Sequence, residues 1–362
     1  MKQMGEVLGE LLEEYRKEAF FREASYAVFD RKGILCEGTC GGISSKTVFD
    51  LASLTKLFTT TLLLLLSEGK EQILQESPLK WLDISEKQGN LRKRLEQITV
   101  ADLMAHTSGL PAWYPFYAGQ GSFYQQTDRI LERYEPPGTM VYSDLNYILA
   151  GFLTEHLSGM TLEQGVEELL AKPLGLKTLS YYPKGYWENT TPQFPQFPLA
   201  VSSYGNAAEE RMCRERGMVF HGFRPSDIPV LGEANDGNAW YFFDGVSGHA
   251  GLFSDAADLA EFGRFYLNTT NSLCMTAMEE KGFGRGYGFE FGDMYPEGCG
   301  HTGFTGTSLY LSPENGFGAV LLTNRLAFLR QEKLPDLREL RTRFHRLVWN
   351  GMKGMKQHDK KG

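Results

Sequence analysis

The chain has 362 residues, of which 42% are hydrophobic and 23% are charged, and its formal net charge at pH 7 is −8. This composition is typical of a globular protein with one large core or two moderate ones. The acidic balance argues against a nucleic-acid partner. Five scattered cysteines form neither a disulfide framework nor a zinc pattern, so we expect no metal and no other cofactor.

The N-terminal part of the chain predicts a helix, a hairpin and a second helix. Apolar residues at helical spacing in 4–20 indicate an amphipathic helix and not a signal peptide, so we expect a cytoplasmic protein. Two β-type runs, 25–30 and 34–38, flank an Asp-Arg-Lys-Gly turn and predict a hairpin. Residues 48–51 then lead into a buried helix over 57–66. Its ten residues are too few for a bilayer, which needs about 20, so we expect no membrane partner.

Helices and loops alternate through the middle of the chain. A helix capped by Thr99 ends where Gly109 and Pro111 follow. Further helices are expected from 142 to 157 and from 161 to 170.

Two segments lack a period and predict loops. Residues 113–124 are aromatic and contain glycine, which favours a loop that walls a binding site. Residues 181–235 hold six of the fifteen prolines and predict an irregular excursion laid over that site. Near the end, runs 307–312 and 318–324 around a Pro-Glu-Asn-Gly turn predict a second hairpin, which a helix from 334 to 349 would cover.

These elements predict an α/β (α+β) fold, in which an antiparallel sheet is flanked by helices. We expect residues 1–71 and 241–362 to form one discontinuous α/β domain from both chain ends. Residues 72–240 would form a mostly helical inserted domain. The site would then lie in the cleft where the two domains meet.

Ser53 and Lys56 are the first candidates for chemistry. They lie three residues apart at the start of a helix, so their side chains share one face and can meet as nucleophile and base. Burial would lower the pKa of Lys56 and free it to accept the serine proton. The alternative is that Ser53 is only the N-cap of the helix.

Three signals stand in order along the chain: Ser53-x-x-Lys56, Tyr142-x-Asp144 and the run 301–303, which is His-Thr-Gly. This trio resembles the serine β-lactamase and penicillin-binding-protein superfamily, in particular its branch of class C β-lactamases, DD-carboxypeptidases and esterases. Asp144 replaces the Asn of that branch, and His301 replaces the Lys of its Lys-Thr-Gly. The resemblance implies the β-lactamase/transpeptidase-like fold.

A narrower resemblance rests on glycine-rich loops. The runs 248–254 and 300–308, with 321–325, are similar to a bacterial subgroup found beside or fused to β-N-acetylhexosaminidases. Some members of that subgroup are N-acetylmuramyl-L-alanine amidases that act on cell-wall fragments. Glycines in tight turns and close backbone packing offer another explanation of these loops.

The family resemblance implies acyl transfer. Ser53 would attack a carbonyl, Lys56 would act as base and Tyr142 would relay a proton between nucleophile and leaving group. The backbone N–H groups of Ser53 and Phe304 would form the oxyanion hole. A core role for the aromatic ring of Tyr142 is the alternative.

The remaining candidates contact Lys56 or the substrate. Asp144 and Asn146 would steady Lys56 or accept a substrate amide, and Thr302 and Gly303 would contact the substrate beside the acyl site. Asp144 also raises a conflict, because a carboxylate near Lys56 should raise the pKa of that lysine. Either Tyr142 takes more of the base role, or Asp144 points elsewhere.

His301 and Arg285 concern charge in the cleft. His301 removes the permanent charge of the family lysine but keeps a possible donor, and is expected to contact substrate and not a metal. Arg285 would replace that charge if its loop faces the cleft. His106 and His249 are expected in loop and helix-end hydrogen bonds. A Ser-His-Asp triad with either is less favoured, since the Gly-x-Ser-x-Gly elbow is missing.

The sequence therefore predicts a serine hydrolase that cleaves an ester or amide of a small-molecule or peptide-like substrate, with a muropeptide as the sharpest version. Three alternatives stay open. They are a β-lactamase or DD-carboxypeptidase, an acyltransferase of the same fold, and a non-catalytic binding module. The oligomeric state is not predicted.

Overall fold

The computed structural model describes residues 1–182, 184–185, 197–329 and 334–359, with side chains to residue 354. Of the predicted excursion 181–235, residue 183 and residues 186–196 lie outside the described residues. The strands are β1 Ala24–Asp30, β2 Ile34–Cys40, β3 Phe49–Asp50, β4 Ser180–Tyr181, β5 Ser203–Tyr204, β6 Pro229–Val230, β7 Leu252–Ser254, β8 Cys299–Thr302, β9 Ser308–Ser312 and β10 Phe317–Thr323.

Helices make up most of the remaining regular structure. They are α1 Lys2–Lys17, α2 Thr55–Leu66, α3 Gly89–Glu96, α4 Val100–Met104, α5 Phe123–Leu131, α6 Asp144–Ser158, α7 Leu162–Val166, α8 Lys172–Leu174, α9 Ala207–Glu215, α10 Ala256–Asn268, α11 Ser272–Ala277 and α12 Arg338–Asp359. Shorter helical turns are Ala52–Leu54, Glu71–Gln75, Pro78–Lys80, Phe116–Ala118, Glu167–Ala171 and Asn238–Phe242.

The main sheet is antiparallel, and its five strands run in the order β2-β1-β10-β9-β8. Ala24 pairs with Thr323 between β1 and β10, so strands from the two ends of the chain lie side by side. Both predicted hairpins are confirmed, as β1 with β2 and as β9 with β10. The expected α/β fold with an antiparallel sheet and flanking helices is confirmed.

Helices cover both faces of this sheet. Successive side chains of a strand point to opposite faces, and here both faces are apolar. Tyr26 and Val28 of β1 join a core cluster with residues of α1 and α12. Ala27 and Phe29 point the other way, into the larger cluster that includes α2, α6 and α10. Helix α2, which follows Ser53, is therefore buried within the larger core, as its run of leucines predicts.

A helix inside the predicted excursion corrects the sequence analysis. Residues Ala207–Glu215 form α9, although the prolines around them favoured an irregular segment. Ala, Glu, Arg and Met dominate this stretch and are good helix formers, so local propensity held the signal. The segment 113–124, expected to be a loop, contains the turn Phe116–Ala118 and the start of α5.

The division into domains at residues 72 and 240 stays a prediction. All five strands of the main sheet come from residues 24–40 and 299–323, which lie within the segments assigned to the α/β domain. In the described part of the chain, no helix is both long enough and apolar enough to cross a bilayer.

A stacked aromatic pair links helix α2 to helix α10, which covers the main sheet. The ring of Phe58 in α2 lies 4.0 Å from that of Phe262 in α10, and neither side chain is exposed to solvent. We expect Phe58→Ala to lower the free energy of unfolding by about 3–5 kcal/mol, because it leaves a cavity in the core. Phe283, with 65% of its surface exposed, gives the control. Phe283→Ala should change stability by about 0.5 kcal/mol or less in denaturant unfolding, and equal effects would contradict the prediction.

Candidate active site

Ser53 lies in the helical turn Ala52–Leu54, immediately before α2. The short strand β3 delivers this turn, since Asp50 pairs with Phe253 of β7 and the N–H of Leu51 donates to the carbonyl of Leu252 at 2.9 Å. Leu54 occupies the N-cap position of α2. The alternative interpretation of Ser53 as a helix cap is therefore wrong.

Lys56 is fully buried one turn further along, and its ammonium has three oxygen partners. Nζ lies 2.9 Å from Oγ of Ser53, 2.7 Å from Oδ1 of Asp144 and 3.2 Å from the carbonyl oxygen of His249. Burial alone would lower the pKa of Lys56, but the charge of Asp144, aided by Tyr142, outweighs it and raises that pKa above its ordinary value. The expectation of a lowered lysine pKa is wrong, because Asp144 points directly at Lys56.

Tyr142 lines the same cleft, next to Lys56. The ammonium of Lys56 lies 4.9 Å from the centre of its ring, and the ring of His106 packs against it at 4.4 Å. Burial raises the pKa of Tyr142, although the charge of Lys56 and hydrogen bonds with Ser53 and Lys56 oppose the shift. Tyr142 is therefore a neutral phenol at pH 7, within reach of both Ser53 and Lys56.

His301 lies on β8 and is 1% exposed, behind Tyr142. Its Nδ1 lies 2.8 Å from the carbonyl oxygen of Thr302. Burial lowers the pKa of His301 to about 4, with Arg285 and Lys56 adding to the effect and Glu290 opposing it. The imidazole is neutral at pH 7, so Nδ1 donates to that carbonyl and Nε2 is left as an acceptor.

Arg285 faces the cleft, as the sequence analysis required for its proposed role. Its guanidinium lies 5.0 Å from the ring centre of Tyr142, and Nη1 lies 3.0 Å from Oε1 of Glu290. Burial would raise the pKa of Glu290, but its electrostatic interactions with His301 and Arg285 and its hydrogen bonds lower it overall. The positive charge at Arg285 is thus already balanced by one carboxylate.

Two threonine hydroxyls bind the loop after β8 to the segment that leads into the Ala52–Leu54 turn. Oγ1 of Thr305 donates to the carbonyl of Asp50 at 2.7 Å, and Oγ1 of Thr307 donates to that of Leu51 at 3.0 Å. The loop approaches so closely at Gly303 that a Cβ there would lie 2.6 Å from the Leu51 oxygen. These contacts hold Ser53 and Phe304 on adjoining segments. The oxyanion hole formed by their two N–H groups stays a prediction.

Asn146 lies away from the other candidates. Its side chain is fully buried, where Oδ1 accepts from Ser108 at 2.6 Å and Nδ2 donates to the carbonyl of Leu103 at 3.0 Å. These bonds tie α6 to the end of α4. Its substrate role stays a prediction that its position does not support.

A cleft of about 410 Å³ brings the other candidates together with residues that the sequence analysis missed. Ser53, Tyr142, Asp144, Arg285, Thr302, Gly303 and Phe304 line it, together with Trp113, Glu209, Asn235, Asp236, Arg325 and Arg341 among others. Trp113 comes from the segment 113–124, which was expected to wall a binding site. The missed residues come from the loop 235–236, from α9 and from the C-terminal part. For Asn235 and Asp236, the run of turn-forming residues at 235–238 was a weak indication in the sequence.

Asp236 organises one wall of the cleft through His249. Nε2 of His249 lies 2.9 Å from Oδ1 of Asp236, and Nδ1 lies 2.8 Å from Oγ of Ser247. Both ring nitrogens are therefore engaged away from Ser53. Nδ1 of His106 likewise accepts from the backbone N–H of Ser143 at 3.0 Å. This geometry does not support a Ser-His-Asp triad with either histidine.

Ligand atoms of Asp144, Asp236 and His249 lie within 4.8 Å of one another, a spacing that a metal ion can use. The sequence analysis could not see this grouping, because the residues are far apart in the chain. Here the ammonium of Lys56 is the cation that binds Asp144, and Asp236 bonds His249. We assign no metal to these groups.

Comparison with known proteins places these observations in a family context. A family model described as Beta-lactamase matches residues 8–342. The chain is 33% identical over 319 residues to the N-acetylmuramyl-L-alanine amidase of Bacillus subtilis (strain 168), covering 78% of this chain and 69% of that protein. It is 31% identical over 319 residues to a protein of Salmonella agona named "Putative D-alanyl-D-alanine carboxypeptidase", covering 78% and 70%.

Two solved structures share the fold. A class C β-lactamase superposes with a TM-score of 0.66 at 16% identity, covering 96% of each chain. The octameric penicillin-binding protein homologue from Pyrococcus abyssi gives 0.64 at 18% identity, covering 88% of this chain and 72% of that one.

Gly303 provides a test of the close approach beside Ser53. A Cβ at this position would lie 2.6 Å from the carbonyl oxygen of Leu51, so we expect Gly303→Ala to push the loop away from the turn that holds Ser53. Because a displacement of about 1 Å can cost 10²-fold in rate, the rate of acylation by a fluorophosphonate should fall by about that factor. Gly33→Ala is the control, since no atom lies within 4 Å of its added Cβ. Equal rates in both variants would contradict the prediction.

Proposed function

The chain belongs to the β-lactamase family and is a serine hydrolase, and we propose that Ser53 is the nucleophile that forms its acyl-enzyme. One observation carries the proposal. Ser53 opens onto the cleft while its Oγ lies 2.9 Å from the ammonium of Lys56. An ammonium at this distance stabilises negative charge that develops on the serine oxygen during attack on a carbonyl.

We assign the proton transfer to Tyr142. Lys56 is paired with Asp144 and keeps its proton, so it is a poor base at neutral pH. A neutral Tyr142 accepts the proton of Ser53 while it donates its own to the leaving nitrogen or oxygen. This concerted relay leaves Tyr142 neutral before and after the step, and needs no tyrosinate at rest. Lys56 stabilises both oxygens, and the N–H groups of Ser53 and Phe304 would hold the carbonyl oxygen.

The substrate that we propose is a cell-wall-derived muropeptide, cleaved at an amide bond. The relative from Bacillus subtilis is named an N-acetylmuramyl-L-alanine amidase and shares 33% of residues over most of this chain. The cleft has the volume of a small-molecule or short-peptide site and carries carboxylates and guanidinium groups that suit polar substrates.

A carboxypeptidase-type reaction is the second candidate, and the arginines favour it. Arg325 and Arg341 line the cleft near the Thr302–Phe304 loop, where they can attract a free carboxylate. The relatives from Salmonella carry the name of D-alanyl-D-alanine carboxypeptidase. Incubation with N-acetylmuramyl-L-alanine peptides and with peptides that end in D-Ala-D-Ala, followed by mass analysis of products, separates the two candidates.

We also propose a cytoplasmic location, where the substrate would be a fragment that has entered the cell. All five cysteines are free thiols, and four of them are buried. Reduced thiols are typical of cytoplasmic proteins, whereas secreted proteins tend to pair them.

Ser53→Ala tests the nucleophile. We expect wild-type protein to gain one fluorophosphonate adduct at Ser53 and the variant to gain none, as intact-mass spectrometry with peptide mapping would detect. Hydrolysis of a p-nitrophenyl ester should fall in parallel, by about 10³-fold or more. Ser44→Ala, at an exposed serine outside the cleft, should behave as wild type. A mapped adduct elsewhere, or full activity in Ser53→Ala, would overturn the assignment of Ser53 as nucleophile. No adduct in wild type, with Ser53→Ala behaving as wild type, would return the protein to the binding-module hypothesis.

Asp144→Asn tests whether Lys56 acts as a cation or as a base. Without the carboxylate, the largest effect that opposes burial is lost and the pKa of Lys56 falls, so the lysine loses its proton as pH rises. If the ammonium stabilises the reacting oxygens, the acylation rate of this variant should decrease from pH 6 to pH 10. A rate that increases over this range would identify neutral Lys56 as the base. Glu290→Gln removes another paired carboxylate of the cleft and serves as control.

A further inference from the structure

Asp50 is a buried carboxylate three residues before Ser53, and the mechanism above leaves it without a role. Only 3% of its surface is exposed. Each carboxylate oxygen accepts a different backbone N–H: Oδ1 from Ala52 at 2.8 Å and Oδ2 from Asn235 at 2.7 Å. Its own carbonyl accepts the hydroxyl of Thr305 at 2.7 Å. One residue thus binds three segments that are far apart in sequence.

Each of these segments carries part of the site. Ala52 precedes the nucleophile Ser53, Thr305 follows Phe304, and Asn235 precedes Asp236. Asp236 in turn bonds His249, whose carbonyl oxygen lies 3.2 Å from Nζ of Lys56. Asp50 is therefore connected to the nucleophile, to the predicted oxyanion-hole segment and to the lysine ammonium.

The bond to Ala52 holds a strained backbone. Ala52 has φ of 47°, in the left-handed region that a residue with a Cβ rarely adopts. Such a conformation costs on the order of 1–3 kcal/mol and persists only where the surroundings determine it. A side-chain oxygen that accepts the N–H two residues ahead is a local clamp on this turn. Without this hydrogen bond, we expect the turn to relax to a less strained conformation and to displace Ser53.

We propose that Asp50 is a positioning residue that fixes the direction of Ser53 toward the cleft, and that its ionised form is the active one. The proposal rests on the acyl-enzyme function proposed above. Both oxygens must be acceptors, since two N–H groups point at them. An amide presents its NH2 donor to one of these N–H groups and can serve only the other. A protonated carboxyl loses its charge and offers one of them only a hydroxyl oxygen, which is a weaker acceptor than a carboxylate oxygen.

The charge state of Asp50 is within reach of ordinary experiments. Burial raises the pKa of Asp50 to about 6, while the two N–H groups and Arg224 lower it and Asp236 adds to the rise. Because this pKa lies above the ordinary 3.8, the folded state takes up a proton between these values more readily than the unfolded chain does. Protonation of Asp50 thus favours the folded state. A loss of activity with a midpoint near pH 6 would therefore not result from acid unfolding caused by Asp50.

The experiment measures kcat and KM for a p-nitrophenyl ester from pH 4.5 to pH 9 in wild type, Asp50→Asn and Asp255→Asn. Wild-type kcat should fall on the acid side with a midpoint near pH 6. In Asp50→Asn we expect kcat at pH 8 to be lower by about 100-fold, because the nucleophile is misplaced. KM should stay within about twofold of the wild-type value, and the fall of kcat near pH 6 should be absent. Fluorophosphonate acylation of Ser53 should slow by the same factor.

Asp255→Asn is the matched control. Asp255 is also buried, accepts the backbone N–H of Asp258 at 2.8 Å and has a pKa raised by burial, but it caps α10 and does not line the cleft. Its replacement should lower stability and leave both kcat and the acid limb unchanged.

The outcomes separate the two proposals. If Ser53→Ala abolishes the reaction but Asp50→Asn keeps wild-type kcat and its acid limb, the positioning role is overturned and the nucleophile stands. If Ser53→Ala is as active as wild type, the acyl-enzyme function fails, and the Asp50 proposal fails with it. If Asp50→Asn does not fold, wild type decides alone: a kcat without a limb near pH 6, while the protein stays folded, overturns the proposal.

Discussion

The ion pair between Lys56 and Asp144 is the constraint on which the site depends. An ammonium that is fully buried costs several kcal/mol unless a counter-ion and hydrogen-bond acceptors surround it. Asp144, at the start of α6, supplies the charge at 2.7 Å, and the His249 carbonyl and Ser53 supply further oxygens. Helices α2 and α6 and the loop before β7 must therefore meet at one point. That point lies beside Ser53.

Small residues make this meeting possible. A Cβ at Gly248 would lie 2.1 Å from the carbonyl oxygen of Tyr147 and 2.9 Å from the backbone nitrogen of Gly151, both in α6. The loop that carries His249 can therefore touch the helix backbone only because Gly248 has no side chain. The carbonyl of Gly248 also accepts the hydroxyl of Thr59 from α2 at 2.8 Å. Gly248 thus has a packing role, which is independent of the resemblance to the amidase subgroup.

The sequence predicted those parts of the site that local spacing determines. Ser53 and Lys56 share a helical face, and that spacing alone implies contact. The terminal hairpins follow from alternating apolar residues and turn-forming residues. Asp236 and Glu209 were missed because their environment arises from packing between distant segments. Glu209, for example, accepts from Tyr117 and from the N–H of Gly237, and burial first, then Asp236, raises its pKa to about 8. No periodicity in the sequence carries that information.

The two departures from the family motifs alter charge in the same direction. Asp144 adds a negative charge where the family has a neutral amide, and His301, neutral at pH 7, replaces a cation. Together they lower the net charge around Ser53 by two units relative to the family pattern. Arg285 restores one cation, but Glu290 balances it at 3.0 Å. The groups next to Ser53 are thus close to electroneutral, with the ammonium of Lys56 compensated, so attraction of an anionic substrate falls to the arginines further along the cleft. A neutral amide or ester carbonyl at Ser53, with any carboxylate held at a distance, is the substrate geometry that this charge distribution favours.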